Sequence, residues 1–224
     1  MRAQPSWSRG CWILLVLLLA PGTTYAQQAP GSLFADNQLW DFGVWGSEAV
    51  GKRGGEDFGT ALMTMAGVHA GRVVYEYAPP GAGKRTLEYT IDLEPLFLVT
   101  HPQRAYGGGF APVGLRWDFV PRGRYRTFVE FNGGGMFTQK NVPPGNTSSF
   151  NFTVATGPGV MIALSRNQAL SIALHYWHLS NADMGNENPA YNAIQIVVGY
   201  HWLKARNAAG KVVSTSPHSA TAKP

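Results

Sequence analysis

His178 and Ser180 stand two residues apart at the end of a strand-like run, 169–181. In an extended strand, residues i and i+2 leave the backbone on the same face, so the imidazole and the hydroxyl project side by side. A serine hydroxyl becomes a good nucleophile only when a neighbouring base takes its proton, and that base needs a third group to orient it. Asn192 opens the next strand-like run, 192–202, and antiparallel pairing across the loop brings it near the pair. Spacing alone describes a polar cluster at a strand end as well as it describes a nucleophile and its base. The two readings separate only on what the rest of the chain builds.

The 224 residues are rich in Gly (27) and aromatics (12%) and poor in charge (14%), the profile of many short strands joined by Gly-rich turns. Arg2 and Arg9 precede an unbroken apolar run over 11–20, and Thr24-Tyr25-Ala26 resembles a small-residue cleavage site. Residues 1–26 therefore read as a secretory signal peptide. The run is too short for a helical span, which takes about 20 residues. Cleavage after Ala26 would remove Cys11, the one cysteine, and a cysteine-free exported chain suits a bacterial cell envelope. The formal charge is +5, to which Arg2 and Arg9 contribute, and Lys204, Arg206, Lys211 and Lys223 crowd the C-terminus. No basic field of the kind that binds nucleic acid remains.

After an irregular lead-in (27–38), eight strand-like runs follow: 39–48, one within 60–77, one from Leu87 to Phe97, then 111–120, 127–138, 149–164, 169–181 and 192–202. Residues 50–58, with Gly51, Gly54 and Gly55, read as a loop. The third run sets Leu87, Tyr89, Ile91, Leu93, Pro95 and Phe97 against Glu88, Thr90, Asp92 and Glu94. A soluble sheet would not bury that polar face and leave the apolar one in water, whereas a membrane barrel has apolar residues outside and polar ones inside. Pro95 marks a bulge or bend. The other runs obey the same rule, with Arg116 and Asp118 inward on the fourth and Glu130 and Asn132 inward on the fifth. The reading is all-β: an eight-stranded antiparallel up-and-down transmembrane β-barrel of the bacterial outer membrane, spanning 27–203. Its inner charges, Glu88, Asp92, Glu94 and Glu130 against Arg72 and Arg116, must pair with one another. A barrel of this size is filled by side chains rather than open.

Connections three, five and seven fall on the same side as the first. The sixth (165–168) is short and the seventh (182–191) long and polar, so the seventh belongs to the cell exterior. On the seventh strand Leu170, Ile172, Leu174, Tyr176, His178 and Ser180 share the more apolar face. The His/Ser pair should therefore face lipid at the outer rim, where polar groups are costly and usually functional. Tyr200 and Trp202 would anchor the other interface, and 204–224 reads as a disordered polar tail.

At these residues a resemblance becomes specific. His178-Leu179-Ser180-Asn181-Ala182, followed by Asn188-Pro189, resembles the lipid A 3-O-deacylase (PagL-type) family, and looser matches occur at 93–96, 111–117 and 151–153. The resemblance implies an ester hydrolase that removes the 3-O-linked acyl chain of lipid A, with lipopolysaccharide as substrate and outer-membrane lipids as surroundings. It implies Ser180 as nucleophile, His178 as base, and Asn181 and Asn188 at the oxyanion hole. Where the family has an acid to orient the base, usually Glu, this chain has Asn192. Asn can orient a histidine but cannot stabilise the imidazolium by charge. Glu187 or Asp183, in the loop, are the alternatives, and so is a degenerate site.

Other polar groups read as structure. His175 points inward as a lumen hydrogen-bonding group. His69, His101 and His201 are scattered, without metal spacing. Gly107–Gly109 and Gly133–Gly135 are followed by no helix and are not phosphate loops. Glu88, Asp92 and Glu94 fit an internal ionic network better than a carboxylate site. No metal or cofactor is implied, and a homodimer stays open. The readings that compete with hydrolysis are a non-catalytic small barrel, structural or adhesive, and acyl transfer to an acceptor.

Overall fold

The computed structural model describes residues 32–53 and 60–206. The export signal expected at 1–26 and the tail beyond Arg206 lie outside the described residues. Eight strands follow in order: β1 (Gln38–Arg53), β2 (Ala61–Tyr77), β3 (Arg85–His101), β4 (Ala105–Asp118), β5 (Tyr125–Thr138), β6 (Phe150–Ser165), β7 (Gln168–Ser180) and β8 (Tyr191–Ala205). Each pairs antiparallel with the next, and β8 pairs back onto β1 to close the barrel. Closure leaves no strand edge, which is what a chain crossing a bilayer requires.

Side chains alternate as the pleat demands. The outer surface is apolar: Phe42, Val44, Leu93, Leu115, Ile172 and Ile196 are among its exposed groups. Such a surface is stable against lipid and not against water. At one interface it carries Trp40, Tyr200 and Trp202, with the last two rings edge to face at 4.8 Å. At the other stand Tyr106, Phe137, Phe150 and Tyr176. Connections 139–149 and 181–190 are the longest, and both open at this second end, opposite the two-residue turn at 166–167.

The interior is filled in three layers. Near the long-loop end, Met63, Met65, Phe97, Met136, Trp177 and Leu179 form an apolar plug. Near the short-turn end, Phe34, Phe128, Met161 and Leu203 form a second. Between them lies an ionic layer. Arg116 is fully enclosed and meets Asp41 (2.6 Å), Glu88 and Asp118 (3.4 Å). Three histidines each face a carboxylate: His69 to Asp92 (3.0 Å), His201 to Asp41 (2.9 Å) and His175 to Glu130 (2.8 Å). Burial of these charges is tolerable because each meets an opposite charge or a hydrogen-bond partner. Glu94, expected in the same network, departs from it, with Oε2 buried and without a hydrogen-bond partner among the described residues. The void left in this layer is about 60 Å³, room for a few waters and no passage.

Several expectations need correction. Strand β1 continues to Arg53, so the start of the expected 50–58 loop is strand. Gly51 sits there because a Cβ would fall 2.6 Å from the Asn192 carbonyl oxygen, a close approach that only glycine permits. Arg72 faces outward, with its guanidinium 5.2 Å from the Trp40 ring, because Met63 and Met65 hold the odd-numbered residues of β2 inside. Arg126 is the second interior cation; it donates to Gln38 Oε1 at 2.9 Å and stacks on Phe34 at 4.3 Å. Pro95 does mark an irregularity in both of the ladders of β3, but the slip reverses the parity after it, so Phe97 is buried inside the barrel rather than outside. Lys204 and Ala205, expected in the tail, belong to β8.

Candidate active site

Strand β7 carries two functions on its two faces. Trp177 and Leu179 point inward and close the barrel mouth, which fixes the strand. Tyr176, His178 and Ser180 then point outward at the long-loop end. In the β7–β8 register His178 lies directly across from Asn192, and in the β6–β7 register Ser180 lies across from Phe152 and His178 from Val154. The expected lipid-side placement of the pair therefore holds in the fold.

His178 Nδ1 is 2.8 Å from Asn192 Oδ1. An amide oxygen only accepts, so Nδ1 carries a hydrogen, and in the neutral ring Nε2 then keeps a lone pair. That is the tautomer a general base needs. Asn192 Oδ1 accepts a second bond, from the Tyr176 hydroxyl at 2.5 Å. Tyr176 went unassigned in the sequence, although the signal was there: it shares parity with His178 and lies diagonal to Asn192, within reach of a long aromatic side chain. Lys52 was missed for a different reason. It is opposite Asn192 on the other side of β8, a neighbour that exists only because the barrel closes.

Asn181 follows Ser180 directly and is buried. Its backbone N–H donates to Asn188 Oδ1 at 3.0 Å, and its side-chain nitrogen donates to the Glu187 carbonyl at 2.8 Å. With its oxygen held in this way, Asn188 has its NH2 group available. The chain between them turns through Ala182 and Asp183, both in the left-handed region at φ 49° and 61°. The 139–149 loop braces this turn: Glu187 N–H donates to the Asn146 carbonyl at 3.1 Å, and Asn186 Nδ2 to Asn146 Oδ1 at 3.1 Å. Of the three groups considered as orienter of His178, Asn192 is the one bonded to Nδ1. That nitrogen has a single hydrogen, so Glu187 or Asp183 could take the role only by displacing the amide.

The fold also brings together histidines that looked scattered. Asp41, His69 and His201 each place one potential ligand atom within 4.8 Å of the others. Most of the donor atoms are already engaged, although His69 Nε2 has no hydrogen-bond partner among the described residues. Arg116 and His201 share the Asp41 carboxylate, His201 Nε2 is 2.8 Å from Ser171 Oγ, and His69 Nδ1 is held by Asp92. The trio belongs to the ionic layer, in which Asp41 and His201 are held by other partners.

A closed membrane-type barrel with a His/Ser/Asn cluster on its outer rim defines a class: barrels that present polar side chains to lipid. Residues 88–201, slightly more than half of the chain, match the family model for lipid A 3-O-deacylase (PagL), and the chain belongs to that family. Among solved structures it is similar to the outer membrane enzyme PagL, at 17% identity and a TM-score of 0.49, covering 69% of this chain and 97% of that one. It is also similar to Neisserial surface protein A, at 11% identity and a TM-score of 0.48, covering 73% and 96%. No curated protein matches the chain by sequence.

Proposed function

We propose that this protein is an outer-membrane esterase that hydrolyses the 3-O-linked acyl chain of lipid A. The observation that carries the reading is the bond from His178 Nδ1–H to Asn192 Oδ1, on the lipid-facing rim and two residues from a serine. Ser180 Oγ attacks the ester carbonyl carbon while His178 Nε2 takes the hydroxyl proton. The tetrahedral oxyanion is met by donors preorganised for it. Asn188 Nδ2 is the freer of the two expected donors, and Asn181 serves mainly by holding it. Collapse releases the lipid hydroxyl, which takes the proton back from His178, and leaves the fatty acyl group on Ser180. Water, deprotonated by His178, then attacks that ester; Ser180 Oγ leaves, takes the proton back from His178, and a free fatty acid departs.

The direction of the site supports a membrane-resident substrate. The interior is plugged at both ends, so an ester reaches Ser180 from the outer leaflet beside the barrel. Asn192 orients the base without the charge that would stabilise the imidazolium, which makes this a slower variant of the reaction.

Mass spectrometry of lipid A from cells expressing wild type and Ser180→Ala tests the reading. Wild type is expected to yield lipid A lacking one acyl chain together with free fatty acid, and Ser180→Ala to leave lipid A intact. Identical lipid A from both would leave the non-catalytic barrel as the function. A chain gained on an acceptor, without free fatty acid, would mean acyl transfer.

A further inference from the structure

We propose that Tyr176 is a positioning residue for the base: its hydroxyl holds the Asn192 amide with the oxygen turned toward His178. The inference rests on the Ser180/His178 reading. A carboxylate at this place would present an acceptor oxygen whichever way it turned. A carboxamide has an oxygen on one side and an NH2 group on the other. Turned over, it would point two donors at His178 Nδ1. Only a ring with its lone pair at Nδ1 and its hydrogen at Nε2 could meet them, and such a ring cannot accept the Ser180 proton. An asparagine orienter therefore works only if something sets its rotation.

Tyr176 supplies that constraint. Its hydroxyl is 2.5 Å from Asn192 Oδ1, the oxygen that is also 2.8 Å from His178 Nδ1. A phenol donates more readily than it accepts, so the contact favours the amide oxygen at this position over the nitrogen. The backbone fixes both donors. His178 pairs directly with Asn192, and Tyr176 lies two residues earlier on the same outward face. An aromatic ring at a membrane interface needs no catalytic explanation. The hydroxyl bonded to the one residue that departs from the family's usual acid does.

The test uses the full-length protein in detergent micelles with purified lipid A. Tyr176→Phe is made in the wild type and in Asn192→Asp, whose carboxylate needs no rotational lock. In the wild type the loss is expected to be about tenfold in kcat with KM nearly unchanged, and in Asn192→Asp less than about twofold. Imidazole ¹⁵N NMR of His178 should show the Nδ1–H tautomer in the wild type and a mixture in Tyr176→Phe. Equal losses in both backgrounds, no loss in the wild type, or an unchanged tautomer would overturn the inference. Ser180→Ala distinguishes the failures. If that variant stays active, the Ser/His reading falls and the inference with it. If it is inactive while Tyr176→Phe is neutral, only the role of Tyr176 falls.

Discussion

At the scale of single residues the unusual choice is Asn192. In a triad the third member holds the base in the right tautomer and also stabilises its positive form. In the proposed mechanism the bond to His178 provides the first service and cannot provide the second. Asn192→Asp restores charge without changing side-chain length, and it is expected to raise kcat about tenfold. Initial-rate measurements on lipid A micelles check this, and a fall in kcat would mean that the amide itself is required. Lys52 makes a second case. It is opposite Asn192 on the outward face and exposed, at the long-loop rim, so its charge suits an anionic glycolipid bound beside the proposed site. Lys52→Ala should raise KM several-fold and leave kcat close to wild type, because the charge lies beside the reacting atoms and not among them. A fall in kcat with unchanged KM would contradict a binding role.

At the scale of elements, β7 and the loop after it make the site. The inward plug of Trp177 and Leu179 fixes the outward aim of His178 and Ser180, and this was readable from alternation alone. The clasp between 139–149 and 181–190 was not, because contacts between two irregular loops follow from no periodicity. Gly185 marks the clasp. A Cβ on it would come within 2.8 Å of Asn181 Nδ2 and 3.1 Å of the Thr147 backbone. Gly185→Ala should therefore push Asn181 off the Glu187 carbonyl and misplace Asn188, lowering kcat about tenfold to a hundredfold with the barrel intact. Activity is read beside heat-modifiable gel mobility, which should not change. Strand β3 shows where alternation misleads. Its first half, from Leu87 to Glu94, carries the clearest pattern in the chain and was placed correctly. Pro95 was seen as an irregularity, but a bulge also advances the phase by one residue, and that turned Phe97 from the lipid face to the core.

At the scale of the whole molecule, the eight strands and their closure were legible in the sequence because every run repeats the same apolar-out rule. The ionic layer was legible only in part. Asp41 lies far from His69, Arg116 and His201 in sequence, and only closure of β8 onto β1 makes the ends of the chain neighbours. Arg116 is the keystone of that layer: its guanidinium serves Asp41, Glu88 and Asp118. Removing one partner of a buried ion group costs about 3–5 kcal/mol, since the remaining charges are left unpaired. Here Glu88 would lose its ionic partner outright, while Asp41 would keep His201 and Asp118 would keep Arg126, so Arg116→Met should strongly weaken folding, read as a lower urea midpoint in micelles. Adding Glu88→Gln to Arg116→Met removes the stranded charge and should recover part of the midpoint. If Arg116→Met alone unfolds at the wild-type midpoint, the barrel is held by its strand ladder and apolar plugs, and the ionic layer contributes nothing to stability. If the double variant is no better than the single, the loss comes from the volume and packing of the arginine against Phe128, whose ring lies 5.5 Å from it, and not from charge.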